Sequence, residues 1–280
     1  MEHDTSSPGG SAASRPAGLL GGLKQRAVEL TGAALSRGVM AVAEQTTRAI
    51  SRSPEAQRTF FDPSEFPFTA RMEREYPVIR EELDALMRGV DLLPNLQDIQ
   101  HEQGEVTTDD KWKMFIFYGY GLKSESNCRR CPRTTRLLES IPGMQSAMFS
   151  ILRGRKHIPP HTGHYKGVLR YHLGLIVPEP EKCRIRVGQE TVHWQEGRSL
   201  LFDDTHEHEV WKESEGDRVI LLVDLLRPLP LHLDFLNRMV TRSIRMSPYI
   251  RHGERNLQRW EEYFGQDFDL RRPPPAGPTP

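Results

Sequence analysis

Between residues 147 and 225 the chain is cut into short apolar pieces, 147–152, 167–177, 183–187, 190–194, 199–202, 209–212 and 218–225, by Gly, Pro and charged turns. None of the gaps holds a stretch long and periodic enough for a helix. Short strands in unbroken succession pair antiparallel and must cover one face of each sheet with another, which predicts a sandwich closed as a jelly roll.

The flanking regions read differently. Residues 1–17 are Ser, Gly, Pro and Ala with little to bury, and predict a disordered tail. In 18–55, Leu19, Leu20, Leu23, Ala27, Leu30, Ala34, Val42 and Ile50 recur at helical spacing while Lys24, Arg26, Arg37, Arg48 and Arg52 outnumber Glu29 and Glu44. This predicts a basic amphipathic helix, packed on the main domain or on a partner subunit, or else resting peripherally on a membrane. The main domain is expected over 60–230 with its β core at 112–228. Within it, 68–87 predicts one helix, 90–109 a polar connection, 112–118 the first strand, and 134–140 a short helix after a polar loop. Residues 231–266 read as a C-terminal amphipathic helix and 267–280 as a loose Pro-rich tail.

Lys plus Arg and Asp plus Glu both number 38, so no overall field recruits nucleic acid or another acidic polymer. Three cysteines form no even framework and the chain opens on no leader, so the expected setting is a soluble, cytoplasmic protein, at most peripheral to the inner face of the membrane. No apolar run approaches the roughly 18 residues of a transmembrane segment. Cys128 and Cys131 have zinc-like spacing but lack a second pair; a redox couple or two plain loop thiols is the better reading.

The residues with chemistry cluster in two segments. On a strand, alternate residues share a face, so Val168, Arg170, His172 and Gly174 point one way and Leu169, Tyr171 and Leu173 the other. If that face is interior, the arginine requires an anion or polar ligand; if it is solvent, both are ordinary. His206 and His208 can reach one metal from an extended segment, although such a pair also arises by chance. Asp203 and Asp204 are possible ligands, but Asp at a strand-to-loop corner is more often a turn residue.

In order along the chain come Cys131-Pro132-Arg133-Thr134 with Leu137-Leu138, Ala147-Met148-Phe149-Ser150, His161-Thr162-Gly163, Leu169-Arg170-Tyr171-His172-Leu173-Gly174-Leu175, Trp194 with Gly197, Phe202-Asp203-Asp204 with His208-Glu209-Val210-Trp211, and Arg218 before Val223-Asp224 and Arg227-Pro228. This ordered set, from about 112 to 228, resembles the aspartyl/asparaginyl β-hydroxylase family of iron(II)- and 2-oxoglutarate-dependent oxygenases, whose bacterial branch includes lipid A and ornithine lipid acyl-chain hydroxylases. The resemblance implies a double-stranded β-helix, a cupin-like jelly-roll barrel, that uses Fe(II), 2-oxoglutarate and O2. It makes His161 and His208 the iron ligands, gives Ser150, Arg170, His172 and Arg218 to 2-oxoglutarate, and leaves His206 without a ligand role. Trp112 and Val168 fall near substrate, and no catalytic residue is implied beyond the metal centre.

Two departures bear on the substrate. The carboxylate of the usual facial triad would stand two residues after His161, where this chain has Gly163, as in animal peptidyl hydroxylases of the family; water is then expected in the third position. Val168, by contrast, replaces a substrate-binding arginine of the peptidyl enzymes. The expectation is an aspartyl or asparaginyl side chain of a peptide or protein first, a lipid acyl chain second, and a non-catalytic ligand-binding jelly roll third.

Overall fold

In the computed structural model, residues 38–99, 107–245, 253, 255–258 and 260 are described. Two compact units divide at residue 40. Only 38–40 of the first are described, and they are helical. The predicted tails at 1–17 and 267–280, and most of the predicted basic helix, lie outside the described residues.

The second unit begins with α1 (41–50), followed by β1 (Phe60–Phe61), α2 (Phe68–Arg74), α3 (Tyr76–Met87) and α4 (Leu96–Ile99). Next come β2 (Trp112–Gly119), β3 (Leu122–Lys123), α5 (Glu125–Arg130) and α6 (Pro132–Glu139). The strands β4 (Met144–Leu152), β5 (Lys156–His161), β6 (Val168–Ile176), β7 (Cys183–Val187), β8 (Glu190–His193), β9 (Ser199–Phe202), β10 (His208–Lys212) and β11 (Arg218–Leu226) run on before α7 (Leu231–Arg245).

Their order makes the jelly roll. A seven-stranded sheet runs β1-β9-β6-β11-β4-β2-β3 and a four-stranded sheet runs β5-β10-β7-β8, with antiparallel pairing throughout. From β4 onward, consecutive strands alternate between the sheets except at the β7–β8 hairpin, so the chain winds as two interlocked Greek keys. The fold is mostly antiparallel β with flanking helices, as expected from the sequence.

Burial follows the strand period. On β6, Leu169, Tyr171, Leu173 and Leu175 join the core under the helices, together with Ile79 and Leu83 of α3. Between the sheets lie Ile158, Cys183, Ile185, Val187, Trp194, Phe202, Val210 and Ile220. All nine residues of β11 are buried, because this strand is covered on both faces.

Several elements differ from their expected form. The predicted helix over 68–87 is two, breaking at Glu75 before Pro77, whose ring enters the first turn of α3. The polar loop before Pro132 contains α5, and β1 was not anticipated. Nor was β5. Its Pro159-Pro160 argues against a strand in the middle of a sheet, but β5 lies at a sheet edge where missing N–H groups do no harm.

Candidate active site

β5 ends on His161, β10 begins on His208, and the two residues are register partners in the four-stranded sheet. A register irregularity just after His208 accompanies the pairing, and the ring centroids are 4.0 Å apart. Each ring is oriented by its own strand end: Nδ1 of His161 donates to the Pro159 carbonyl (2.9 Å) and Nδ1 of His208 to the His206 carbonyl (3.0 Å). With the proton on Nδ1, both Nε2 atoms present lone pairs. Burial lowers the pKa of both rings, and that of His208 falls to about 3 with help from His161 and Arg170. Two neutral, adjacent, oriented imidazoles are what a divalent transition metal takes as ligands.

A chain of aromatic contacts leads from this pair into the barrel. Phe202 stands 5.9 Å from His208 and 5.0 Å from His172, His172 stacks 5.9 Å from Trp194, and the Arg218 guanidinium lies 4.5 Å over the Trp194 ring. The indole N–H of Trp194 donates to Nδ1 of His172 (3.2 Å), so the proton of this neutral ring is on Nε2, which is buried without an acceptor. Burial first, then Arg170, Arg218 and His208, hold the His172 pKa well below the usual value. Arg218 is 2 % exposed, its Nε has no partner, and burial lowers its pKa to about 10. No ion pair to Arg218 exists among the described residues. The Arg218 Nε–H and the His172 Nε2–H, both buried and both without an acceptor among the described residues, suit a negatively charged ligand.

The other expected residues fall into place around this interior. Ser150 is buried on β4, accepts the indole N–H of half-buried Trp112 (3.0 Å), and keeps its own hydroxyl proton to donate. Arg170 shares the inner face with His172, but its fork is engaged by Asp204 (3.0 Å) and Asp224 (2.9 Å). Burial opposes its charge, yet these two carboxylates outweigh burial and raise its pKa. Arg170 thus organises carboxylates of the protein, whereas Arg218 has no ion pair among the described residues and its Nε has no acceptor. Val168 lies apart from the interior, packed with Ala43, Tyr165 and Val240 under α7.

Gly163 has a local reason. A Cβ built there would stand 2.5 Å from the Asp204 carboxylate, and the Gly163 N–H donates to the Asp204 carbonyl (2.7 Å). An aspartate at this position therefore has no room to enter a metal shell while Asp204 keeps its place. Asp204, buried and with its pKa raised by burial against the pull of Arg170, fills the space from the facing segment.

Sequence reasoning missed the buried cluster behind the two histidines. Asp203, fully buried, pairs with Lys166 (2.9 Å) and Arg227 and accepts from Thr205, which fastens the segment after His161 to the segment before His208. The sequence leaves Asp203 as a possible metal ligand or, more often for such a corner, a turn residue, and the strand alternation that groups Arg170 with His172 gives no sign of its ion pairs. His206 is 3.9 Å from Asp203 and not part of the imidazole pair. Cys128 and Cys131 are buried free thiols whose pKa values burial raises, and no group of three His, Cys, Asp or Glu suited to a metal occurs among the described residues.

Residues 73–228, more than half of the chain, match the aspartyl/asparaginyl beta-hydroxylase family. The chain belongs to that family. Among its relatives, an ornithine lipid ester-linked acyl 2-hydroxylase of Rhizobium tropici is 44 % identical over 205 residues, 73 % of each chain. The aspartyl/asparaginyl beta-hydroxylase of Homo sapiens is 36 % identical over 165 residues, 56 % of this chain and 21 % of that one. This family member thus spans about a fifth of the length of its human relative. Among solved structures, a cupin domain of a transcriptional regulator from Enterobacter cloacae overlaps 42 % of this chain and 100 % of that one at 9 % identity with a TM-score of 0.30. No helix among the described residues is long and apolar enough to cross a membrane.

Proposed function

We propose that the protein is an iron(II)- and 2-oxoglutarate-dependent hydroxylase of a lipid acyl chain. The observation that carries the chemistry is the pairing, in one barrel interior, of two neutral imidazoles with free Nε2 atoms and a buried arginine without an acceptor. The donor set suits both groups: imidazoles leave open positions on iron(II), and a dicarboxylate cosubstrate answers the orphan donors of Arg218 and His172. When bound, iron(II) with 2-oxoglutarate and dioxygen supplies the oxidising power to hydroxylate an unactivated C–H bond, the cosubstrate leaving as succinate and carbon dioxide. His161 and His208 would hold the metal through Nε2. Arg218 would take a cosubstrate carboxylate, with His172 and Ser150 as further donors, and Trp194 holds both His172 and Arg218 in position.

An acyl chain is preferred over a peptidyl aspartyl or asparaginyl side chain, which reverses the order expected from the sequence. The 44 % identity to a lipid acyl hydroxylase spans more of this chain than the likeness to the peptidyl enzyme. Gly163, the feature that favoured the peptidyl branch, is explained by the Asp204 carboxylate beside it. Val168, in place of a substrate-binding arginine, lies in an apolar cluster with no charge to receive a peptide carboxylate.

The test supplies the protein with iron(II), ascorbate and 2-oxoglutarate, and offers ornithine-type lipid and aspartyl peptides separately. Mass spectrometry should show one oxygen gained on the lipid acyl chain, with succinate formed in step, and neither product from His208→Ala. Oxygen gained on the peptide alone would return the substrate to the peptidyl reading; no succinate with either would remove the reaction class and leave a ligand-binding jelly roll.

A further inference from the structure

We propose that α7 seats the protein on an anionic lipid surface, through a face that plays no part in the fold. The inner face of α7 is tied to the segment following His161: Asn237 accepts from the Tyr165 hydroxyl (2.8 Å) and donates to the Gly167 carbonyl (2.7 Å), while Val240 packs on Ala43, Tyr165 and Val168. The opposite face is apolar and exposed. Leu231 (86 %), Phe235 (64 %) and Met239 (49 %) recur every fourth residue, and so form one stripe, with Leu236 (41 %) beside it. Large side chains left in water along one stripe mark an interaction surface.

The flank of the stripe says what it meets. Arg238 and Arg242 are exposed one helical turn apart on the same side. Asp234 is engaged by Arg238 at 2.8 Å, and Arg242 makes no ion pair among the described residues. Apolar bodies with arginines along their edge are the pattern of a helix lying in a membrane interface, where the guanidinium reaches anionic headgroups and the apolar stripe enters the acyl layer. A second copy of the chain on this stripe would bring further arginines to a narrow patch whose acidic side chain is already taken. The purpose of such seating rests on the acyl-chain reading, since it sets a lipid surface beside the segment that carries His161. Its test does not rest on that reading.

The full chain is floated with vesicles of phosphatidylcholine, with and without phosphatidylglycerol, at low and high salt. Salt-sensitive binding to the anionic vesicles is expected. The triple variant Leu231→Ser, Phe235→Ser, Met239→Ser should bind about tenfold or more weakly, and Arg242→Glu about fivefold or more weakly, on anionic vesicles only. Circular dichroism and melting temperature should not change, since these side chains are exposed; the single variant Phe235→Ser gives the same comparison with less alteration. Wild type that fails to bind, variants that bind as wild type does, or a dimer in sedimentation that the same substitutions dissolve would each overturn the proposal. Hydroxylation of detergent-dispersed lipid, measured in parallel, keeps the two ideas apart: turnover without vesicle binding refutes the seating alone, and α7-dependent binding without lipid turnover supports the seating while refuting the acyl-chain reading.

Discussion

Arg218 is held in the interior over Trp194 with no carboxylate to answer its charge. That arrangement costs stability in the absence of an anion, so Arg218→Met should raise the stability of the ligand-free protein by about 1 kcal/mol. It should weaken 2-oxoglutarate binding by about ten- to a hundredfold, the loss of a charge-assisted contact of about 1.5–3 kcal/mol, while iron(II) stays bound. Urea denaturation and titration of the cosubstrate check both halves, and a variant less stable than wild type would mean that Arg218 has an internal acceptor. Asp203 behaves oppositely, because it is the carboxylate that both Lys166 and Arg227 pair with among the described residues. Asp203→Asn removes the ion-pair partner of two buried cations, with only the more distant Asp204 still acting on Arg227, and should cost about 3 kcal/mol. Burial works to raise the Asp203 pKa, but Arg227, Thr205 and Lys166 together bring it below 3.8. A depressed folded pKa contributes stability that is complete above the unfolded value and drains away as pH falls through the folded one. The variant should therefore lose less stability than wild type on acidification below about pH 4, read from denaturation midpoints at each pH.

The elements show which local signals survive packing. β5 carries His161 on a segment with consecutive prolines, and it is a strand because β10 supplies its hydrogen bonds from one side only. Periodicity does not report an edge position, and this is why the strand of one proposed ligand went unseen while the ligand itself was named. The helices depend on side chains from distant sequence. Glu82 of α3 is buried and accepts the backbone N–H groups of Arg133 (2.9 Å) and Thr134 (2.8 Å), closing the first turn of α6. Cys131, the residue before that turn, offers no side-chain cap. Glu82→Ala should cost about 2 kcal/mol, the loss of an N-terminal cap together with the buried Thr134 N–H and part-buried Arg133 N–H it leaves unpaired. Thermal unfolding measures it, and a change within about 0.5 kcal/mol, the range of an ordinary surface substitution, would show that α6 closes its own end.

At the scale of the whole molecule, the site joins the two sheets. His161 and His208 belong to the four-stranded sheet, whereas His172, Ser150 and Arg218 belong to the seven-stranded one. On the proposed reading, a metal and an anion would be held by both sheets and so would bind the folded barrel and not the unfolded chain. Saturating iron(II) with a 2-oxoglutarate analogue at a hundred times its Kd should add about 2.7 kcal/mol. For a domain of this size that is roughly 5–10 °C in melting temperature. Chelation with EDTA should erase the gain, and His208→Ala should not show it. A wild-type melting temperature indifferent to both additions would argue against the proposed ligand set.

The spacing of short apolar segments and Gly and Pro turns was enough to determine an antiparallel jelly roll, because strand period and turn chemistry are local properties of the backbone. The alternation on β6 likewise placed Arg170 and His172 on one face. What the order of residues could not contain is which buried cation already has a partner. Arg170 meets Asp204 and Asp224, across gaps of 34 and 54 residues, while Arg218 meets no carboxylate at all among the described residues. Both are arginines on inner strand faces, and only the closing of the barrel, which brings distant carboxylates to one and withholds them from the other, decides which of them is left without a carboxylate partner.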